Sequence, residues 1–238
     1  KLDPMPGVWT GTWRDSSSFN PEDLQPENAL TGTIFTVNSW RNDPLQVPAE
    51  YAKLRFWRNT EVEKLSPGEI AVLGRGIVGY EFDESLDNGF QPAGLIHLSK
   101  TTLNSVTYLQ DFGSVYDGGT ATHRLTLYRA RSGALVFGSG TVQWSWGLDN
   151  FHDMHTGVPA VYANGYSIRL GVDPSSPVPT IQQATVNLFA DMGVQPVNLQ
   201  QGLVQATKST DTQAPTSRIS SPQDGSTVGA NVINVTGT

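Results

Sequence analysis

Residues 123–146, HRLTLYRARSGALVFGSGTVQWSW, carry the strongest local signal for the fold of this chain. Two runs rich in β-branched and aromatic residues flank Arg131-Ser132-Gly133, and a short glycine-containing link between such runs is typical of a β-hairpin. The alternation of apolar and polar residues in LTGTIFTVNSW, residues 30–40, predicts a further strand. The chain is therefore expected to be rich in β structure.

One helix is predicted, over residues 178–193, VPTIQQATVNLFADMG. Its apolar residues recur at helical spacing, Pro179 suits the first turn, and Gly193 suits the C-terminal end. Residues 47–60, VPAEYAKLRFWRNT, alternate toward their end and are interpreted as a strand edge. The fold class that follows is α/β, mixed and β-rich, with one clear helix.

The composition of the chain excludes several classes of binding partner and of chemistry. The net charge of −7 and the pI near 5.0 argue against nucleic acid and anionic membranes as main partners. No apolar run approaches the roughly 18 residues that a membrane span needs. The chain has no cysteine, which excludes disulfides, thiolate metal sites and a cysteine nucleophile. The 24 glycines and 15 prolines, with few lysines, favour a loop-rich, secreted extracellular protein.

The composition changes after Ala206 and predicts two regions. Residues 1–206 form the main region, whereas residues 207–238 contain no aromatic residue and are dominated by Ser, Thr, Pro, Asp and Gly. The second region is interpreted as a linker followed by the first strands of an immunoglobulin-like module, since a complete sandwich needs about seven strands. The first residue is Lys1 rather than Met, which indicates a processed or excised piece of a longer protein.

A cluster of carboxylates lies at the end of a strand predicted over residues 76–83, in IVGYEFDESLDNG, residues 77–89. Strand alternation places Glu81 and Asp83 on one face. Asp87 precedes Asn88-Gly89 and belongs to a turn. Glu84 is interpreted as a solvated surface acid.

Glu81 differs from the other acids because it lies between Tyr80 and Phe82. A carboxyl group in that apolar frame is expected to have a raised pKa and to serve as a general acid or base. The alternative is that Glu81 pairs with an arginine of a neighbouring strand.

A second polar cluster lies in WSWGLDNFHDMH, residues 144–155. Its side chains can ligate a metal or form an acid–base pair, but their spacing matches no known metal motif, and solvation of a loop explains them equally well. The candidates are Asp149, His152, Asp153 and His155.

For the histidines and tryptophans outside these clusters, the sequence is compatible with a structural role as well as a functional one. His97 and His123 both lie in predicted strands, where a satisfied structural histidine is the common case. The six tryptophans are compatible with a glycan platform, although the spacing in WTGTW and WSW suits a buried core equally.

Several stretches, taken in order, resemble the C-terminal part of the N,N-dimethylformamidase large-subunit family. These stretches are ENALTGTIFTVN, VPAEYAKLRFWRNT, VGYEFDESLDNGFQPAGLIHLS, HRLTLYRARSGALVFGSGTVQWSWGLD and IQQATVNLFADMGVQP. The resemblance implies a fold related to class I glutamine amidotransferases, a central sheet with flanking helices and β insertions. It also implies amide hydrolysis by a mononuclear iron, held by tyrosines and a glutamate and aided by a further catalytic glutamate.

The family pattern Gly-Phe-Glu-Ile-Asp aligns with residues 79–83 and carries the catalytic glutamate onto Glu81. In the reaction that the resemblance implies, metal-bound water attacks the amide carbon and Glu81 passes a proton to the leaving amine. Asp83 and His97 are expected to orient Glu81. The iron ligands and the first half of the core are expected upstream of Lys1, supplied by the N-terminal half of the domain as a separate chain. The tyrosines that remain unassigned are Tyr51, Tyr80 and Tyr108.

Two functions follow from these observations. The first is the C-terminal portion of a secreted amidohydrolase that acts on a small or exposed amide. The alternative is a non-catalytic extracellular module, either structural or a glycan receptor that uses Trp9, Trp13 or Trp144.

Overall fold

The computed structural model describes residues 13–14, 24–39, 41–111, 115–149, 177–211, 213, 216–229 and 233–237. The α-helices are α1, Asn28–Thr31, and α2, Pro179–Asp191, and short 3-10 helices occupy Ala49–Tyr51, Arg55–Trp57, Val62–Lys64 and Trp144–Gly147. The strands are β1 Ile34–Asn38, β2 Asp43–Pro48, β3 Ile70–Val78, β4 Glu81–Glu84, β5 Ile96–His97, β6 Thr101–Leu109, β7 Tyr116–His123, β8 Thr126–Arg129, β9 Leu135–Gly138, β10 Ile219–Ser221 and β11 Thr236–Gly237.

The chain divides into two compact units, Lys1–Lys208 and Ser209–Thr238. In the second unit, β10 pairs antiparallel with β11. Its assignment as the start of an immunoglobulin-like module stays a prediction.

Four strands of the first unit form a small closed sheet in the order β1-β4-β7-β6, in which β6 pairs back with β1. The ladders place Phe35 opposite Asp83 and Val37 opposite Tyr108. The long β6–β7 hairpin supplies half of the ring, and β4 meets β7 where Glu84 lies opposite His123. Because the sheet closes, one face of each strand points into an interior that solvent does not reach.

Two smaller sheets flank the closed one: β2 with β3, and β5-β8-β9 with β8 in the centre. The predicted hairpin is confirmed, since β8 and β9 pair from Thr126↔Gly138 to Arg129↔Leu135 and Gly133 adopts a φ of 87° in the turn. The β-rich class is confirmed as well. All the ladders among the described residues are antiparallel, and the glutamine amidotransferase-like sheet stays a prediction.

The predicted helix is confirmed with nearly the predicted ends. Helix α2 starts at Pro179 and stops before Gly193, which has a φ of 86°. Its inner face buries Ile181 and Ala184 against the main core. Trp57 is the largest fully buried side chain of this core among the described residues, and it donates its indole N–H to the Leu98 carbonyl over 2.8 Å.

Two strand predictions are wrong. Residues 47–60 form the end of β2 and two 3-10 helices, in which Phe56 and Trp57 reach the core from one turn. Short 3-10 turns can bury near-neighbour side chains, so a few alternating residues do not distinguish them from a strand edge. The predicted strand at 76–83 is divided, because β3 ends at Val78 and the chain turns at Gly79 before β4.

Candidate functional site

Strand β4 decides which way the acidic side chains point. Phe82 and Glu84 are buried at 1% and 7% exposure, whereas Glu81 and Asp83 are half-buried on the opposite face. The predicted alternation is therefore confirmed, and the two candidate acids share one face of the strand.

A groove of about 310 Å³ lies over this face. The residues that line it include both acids, two phenylalanines and several residues with hydroxyl groups. The lining residues are Thr31, Thr33, Phe35, Glu81, Asp83, Phe137, Gly138, Ser139, Gly140, Thr141 and Val142.

One side of the groove is the segment Ser139–Val142, which we call the wall. The wall continues the sheet beside β4, because the Asp83 N–H donates to the Gly140 carbonyl over 2.8 Å and Phe82 forms a β-bridge with Thr141. The contact of the Val142 N–H with the Glu81 carbonyl is longer, at 3.5 Å. The wall thereby holds the backbone at both acids.

Asp83 has a raised pKa. Burial raises the pKa of Asp83, and the nearby charge of Glu81 raises it further. The Thr33 hydroxyl donates to Asp83 Oδ2 over 2.8 Å, and that hydrogen bond, with the positive charge of Arg14, acts in the opposite direction. Burial dominates, so Asp83 keeps its proton to higher pH than an ordinary aspartate.

Arg14 is committed to other partners. Its guanidinium forms an ion pair with Glu27 and donates to the Phe35 carbonyl over 2.6 Å. Within the described residues, Arg14 therefore acts on Asp83 only through its positive charge and forms no ion pair with it.

Glu81 forms no ion pair within the described part of the chain. The four pairs found there join Arg14 to Glu27, Arg41 to Asp43, and both Arg55 and Arg58 to Asp191. The alternative of an arginine partner for Glu81 is thus not what the described residues form, and Glu81 stays available to the groove.

His97 lies away from the groove. Its Nε2 is 3.0 Å from the Ser85 hydroxyl, and burial together with the charge of Arg124 lowers the pKa of His97. The structure brings Glu81 and Asp83 together but does not place His97 among the lining residues.

Glu84 was predicted to be a solvated surface acid, and that prediction is wrong. It accepts hydrogen bonds from the Tyr108 hydroxyl over 2.7 Å and from the Thr122 N–H over 2.5 Å. Burial, followed by the hydrogen bond to Glu84, raises the pKa of Tyr108 to about 12. The sequence held a usable signal, because alternation puts Glu84 on the same face as Phe82.

The described residues do not fit an iron site. They contain no cluster of three or more His, Cys, Asp or Glu side chains that could hold a metal ion. Tyr108 has a raised pKa, so it keeps its proton and donates a hydrogen bond to Glu84, whereas an iron ligand must be deprotonated. Tyr51 accepts a hydrogen bond from Arg124 over 3.0 Å, and burial raises its pKa too.

Other predicted residues have simple outcomes. Asp149 is exposed, and His152, Asp153 and His155 lie outside the described residues. Trp144 is half-buried and packs against Phe56 and Phe137 at the edge of the core. Trp13 is 59% exposed, and Trp9 lies outside the described residues.

Comparison with known proteins gives one match. The family model for N,N-dimethylformamidase beta subunit-like, C-terminal regions matches residues 3–157, which include Glu81, Asp83, His97 and all of the groove. Neither the curated proteins nor the solved structures contain a match. Among the described residues, none of the helices has the length and apolar character of a membrane span.

Proposed function

The chain belongs to the N,N-dimethylformamidase beta subunit-like, C-terminal family, and from that membership we propose that it is the β-rich C-terminal part of an amidohydrolase acting on small or exposed amides. The observation that carries this proposal is the placement of Glu81 and Asp83 over one groove, with the pKa of Asp83 raised by burial. The beta subunit-like family indicates a partner subunit.

Amide hydrolysis needs a proton donor, because an amine leaves readily only after its nitrogen is protonated. Glu81 is half-buried at the groove, so it can exchange protons with solvent and pass one to the leaving nitrogen. Positions i and i+2 of a strand are about 7 Å apart, which leaves room for an amide group to contact both acids.

Asp83 serves this reaction by orienting the amide. Because burial raises the pKa of Asp83, its carboxyl group holds a proton over a wider range of pH than an ordinary aspartate, and in that form it can donate a hydrogen bond to the amide. The Thr33 hydroxyl fixes the other side of the carboxyl group. His97 has no role in the groove in this reaction, since its ring contacts Ser85 instead.

Iron, the partner and the location belong to the proposal as well. We expect the iron that the family resemblance implies to be held by residues outside the described ones, in a partner subunit or upstream of Lys1. The glutamine amidotransferase-like core would be supplied in the same way. The glycine- and proline-rich composition, with few lysines, supports secretion.

The test is amine release from N,N-dimethylformamide and related small amides by the assembled parent protein, which means this chain together with its partner subunit. Glu81→Gln is expected to lower kcat by about 10²–10⁴-fold, the usual contribution of a general acid or base. Asp87→Asn, an exposed acid in the neighbouring turn, is the matched control and should leave turnover unchanged. Full activity of the Glu81→Gln protein would refute the assignment.

A glycan-binding module is the alternative, and the exposure of Trp13 favours it. An exposed indole ring can stack on a sugar, whereas the other candidate in the described residues, Trp144, is half-buried against Phe137. Binding of the chain to a glycan array that is lost in Trp13→Ala would support this function. An array with no bound glycan would remove it.

A further inference from the structure

We propose that His123 is the positioning residue of the groove, because its imidazole holds the wall, Ser139–Val142, against β4. His123 lies at the end of β7 and is fully buried. Its Nε2 is 2.9 Å from the Ser139 carbonyl oxygen. The effect of His123 on catalysis rests on the proposed amide hydrolysis, whereas its effect on the position of the wall does not.

His123 occupies the junction between two neighbours of β4. One edge of β4 pairs with β7 at Glu84↔His123 and passes to the wall at Asp83, whose N–H donates to Gly140. The His123 ring bridges this change of neighbour, since it belongs to β7 and binds the first residue of the wall.

The hydrogen bond fixes the tautomer of His123. A carbonyl oxygen only accepts hydrogen bonds, so Nε2 must carry the proton and donate it to Ser139. Nδ1 has no hydrogen-bond partner among the described residues and faces a buried environment. The ring is therefore held neutral, as a single-donor group aimed at the wall.

Packing leaves the wall little freedom around this ring. A Cβ atom on Gly140 would lie 3.2 Å from His123 Nε2 and 3.0 Å from the Arg124 carbonyl, and Gly140 has a φ of 58°. The ring also packs against Phe82 in a T-shaped arrangement, with ring centroids 6.0 Å apart. Because Phe82 separates Glu81 from Asp83 on β4, one ring contacts both the wall and the strand that carries the acids.

The first experiment measures amide hydrogen exchange in the full 238-residue chain. The probe is the Asp83 amide, which donates to the wall, and the control is the Gln110 amide, which donates to Val115 at the other end of the β6–β7 hairpin. His123→Phe keeps a ring without the donor, and His123→Gln places an amide donor at a similar reach.

We expect His123→Phe to speed exchange at Asp83 by about tenfold and to leave Gln110 unchanged, because loss of the donor frees the wall to open locally. In His123→Gln, the exchange rate at Asp83 should stay close to that of the chain without a substitution. Unchanged exchange at Asp83 in His123→Phe, or equal acceleration at both amides in both variants, would overturn the proposal. A ring ¹⁵N spectrum with the proton on Nδ1 would overturn it as well.

The second experiment separates this inference from the proposed function. In the assembled parent protein, His123→Phe should lower kcat for amide hydrolysis with little change in KM, and His123→Gln should restore it. A parent protein without amide turnover, together with the expected exchange pattern, would refute the proposed function and support the positioning of the wall. Full turnover in His123→Phe would show that the wall does not serve catalysis and would overturn that part of the inference.

Discussion

Replacement of Asp83 by asparagine is expected to stabilise the folded chain at neutral pH while it impairs the groove. The carboxyl group is buried enough to raise its pKa, so the folded state at pH 7 carries a charge that it solvates less well than the unfolded chain does. Asparagine has nearly the same shape and still accepts the hydrogen bond from Thr33. The variant therefore removes the charge and keeps the contact.

The contacts of Asp83 set the size of this effect. Transfer of a carboxylate out of water costs several kcal/mol, and a hydrogen bond to a charged group returns about 1.5–3 kcal/mol. Arg14 returns little more, because its guanidinium is paired with Glu27. The free energy of unfolding should therefore rise by about 1 kcal/mol at pH 7 in Asp83→Asn.

The raised pKa of Asp83 also predicts how the stability difference between the two chains changes with pH. The folded pKa of Asp83 is raised, so between the unfolded pKa of an aspartate, about 3.9, and the folded value the native state binds more protons. Stability therefore falls as the pH rises through that window, and the advantage of the variant should vanish below it. Urea unfolding at pH 3 and pH 7 measures the difference, with Asp87→Asn as the exposed control. A variant less stable than the parent chain at pH 7 would refute the reasoning.

Three further predictions concern the surroundings of the groove. Glu84→Gln should lower the free energy of unfolding by about 1–3 kcal/mol, measured in urea, because a neutral amide cannot accept both hydrogen bonds of the buried carboxylate. Gly79→Ala should cost about 1–3 kcal/mol in the same assay, since its Cβ would lie 1.8 Å from Gln143 Oε1, and a smaller partner in Gly79→Ala/Gln143→Ala should recover part of the loss. Burial lowers the pKa of His123 to about 4, so the unfolded chain takes up this proton first as the pH falls from about 6.5, and stability should fall by about 3 kcal/mol by pH 4. His123→Phe should flatten that part of the pH profile, and an unaltered profile would contradict the assignment.

The parts of the fold that could be predicted are those whose signals are local. The hairpin of β8 and β9 turns at Gly133, and α2 begins at Pro179 and stops before Gly193, so each element carries its own turn or cap residues. The strand prediction for residues 47–60 is wrong because their alternation arises from 3-10 turns packed on the core. Trp57 in the second of these turns bonds to Leu98, which is distant in the sequence. Local periodicity does not reveal such long-range burial.

The candidate site divides in the same way. Strand alternation predicted that Glu81 and Asp83 share a face, and β4 has this arrangement. Alternation places Glu84 on the same face as Phe82, but its neighbours in the sequence do not show that the sheet closes over that face. Its partners Tyr108 and Thr122 are 24 and 38 residues away, and they bury it only when β6 and β7 complete the ring.

The chemical character of Asp83 likewise comes from residues far away in the sequence. Its hydrogen-bond donor, Thr33, is 50 residues away, and the wall that holds its backbone reaches it only from the end of β9. His123, which binds that wall at Ser139, looks from its own neighbours like an ordinary strand histidine. A chain with the same Gly-Tyr-Glu-Phe-Asp sequence but no hydroxyl at position 33 would therefore carry an Asp83 with its pKa raised still further. The motif identifies the acids, and the closed sheet decides what kind of acids they are.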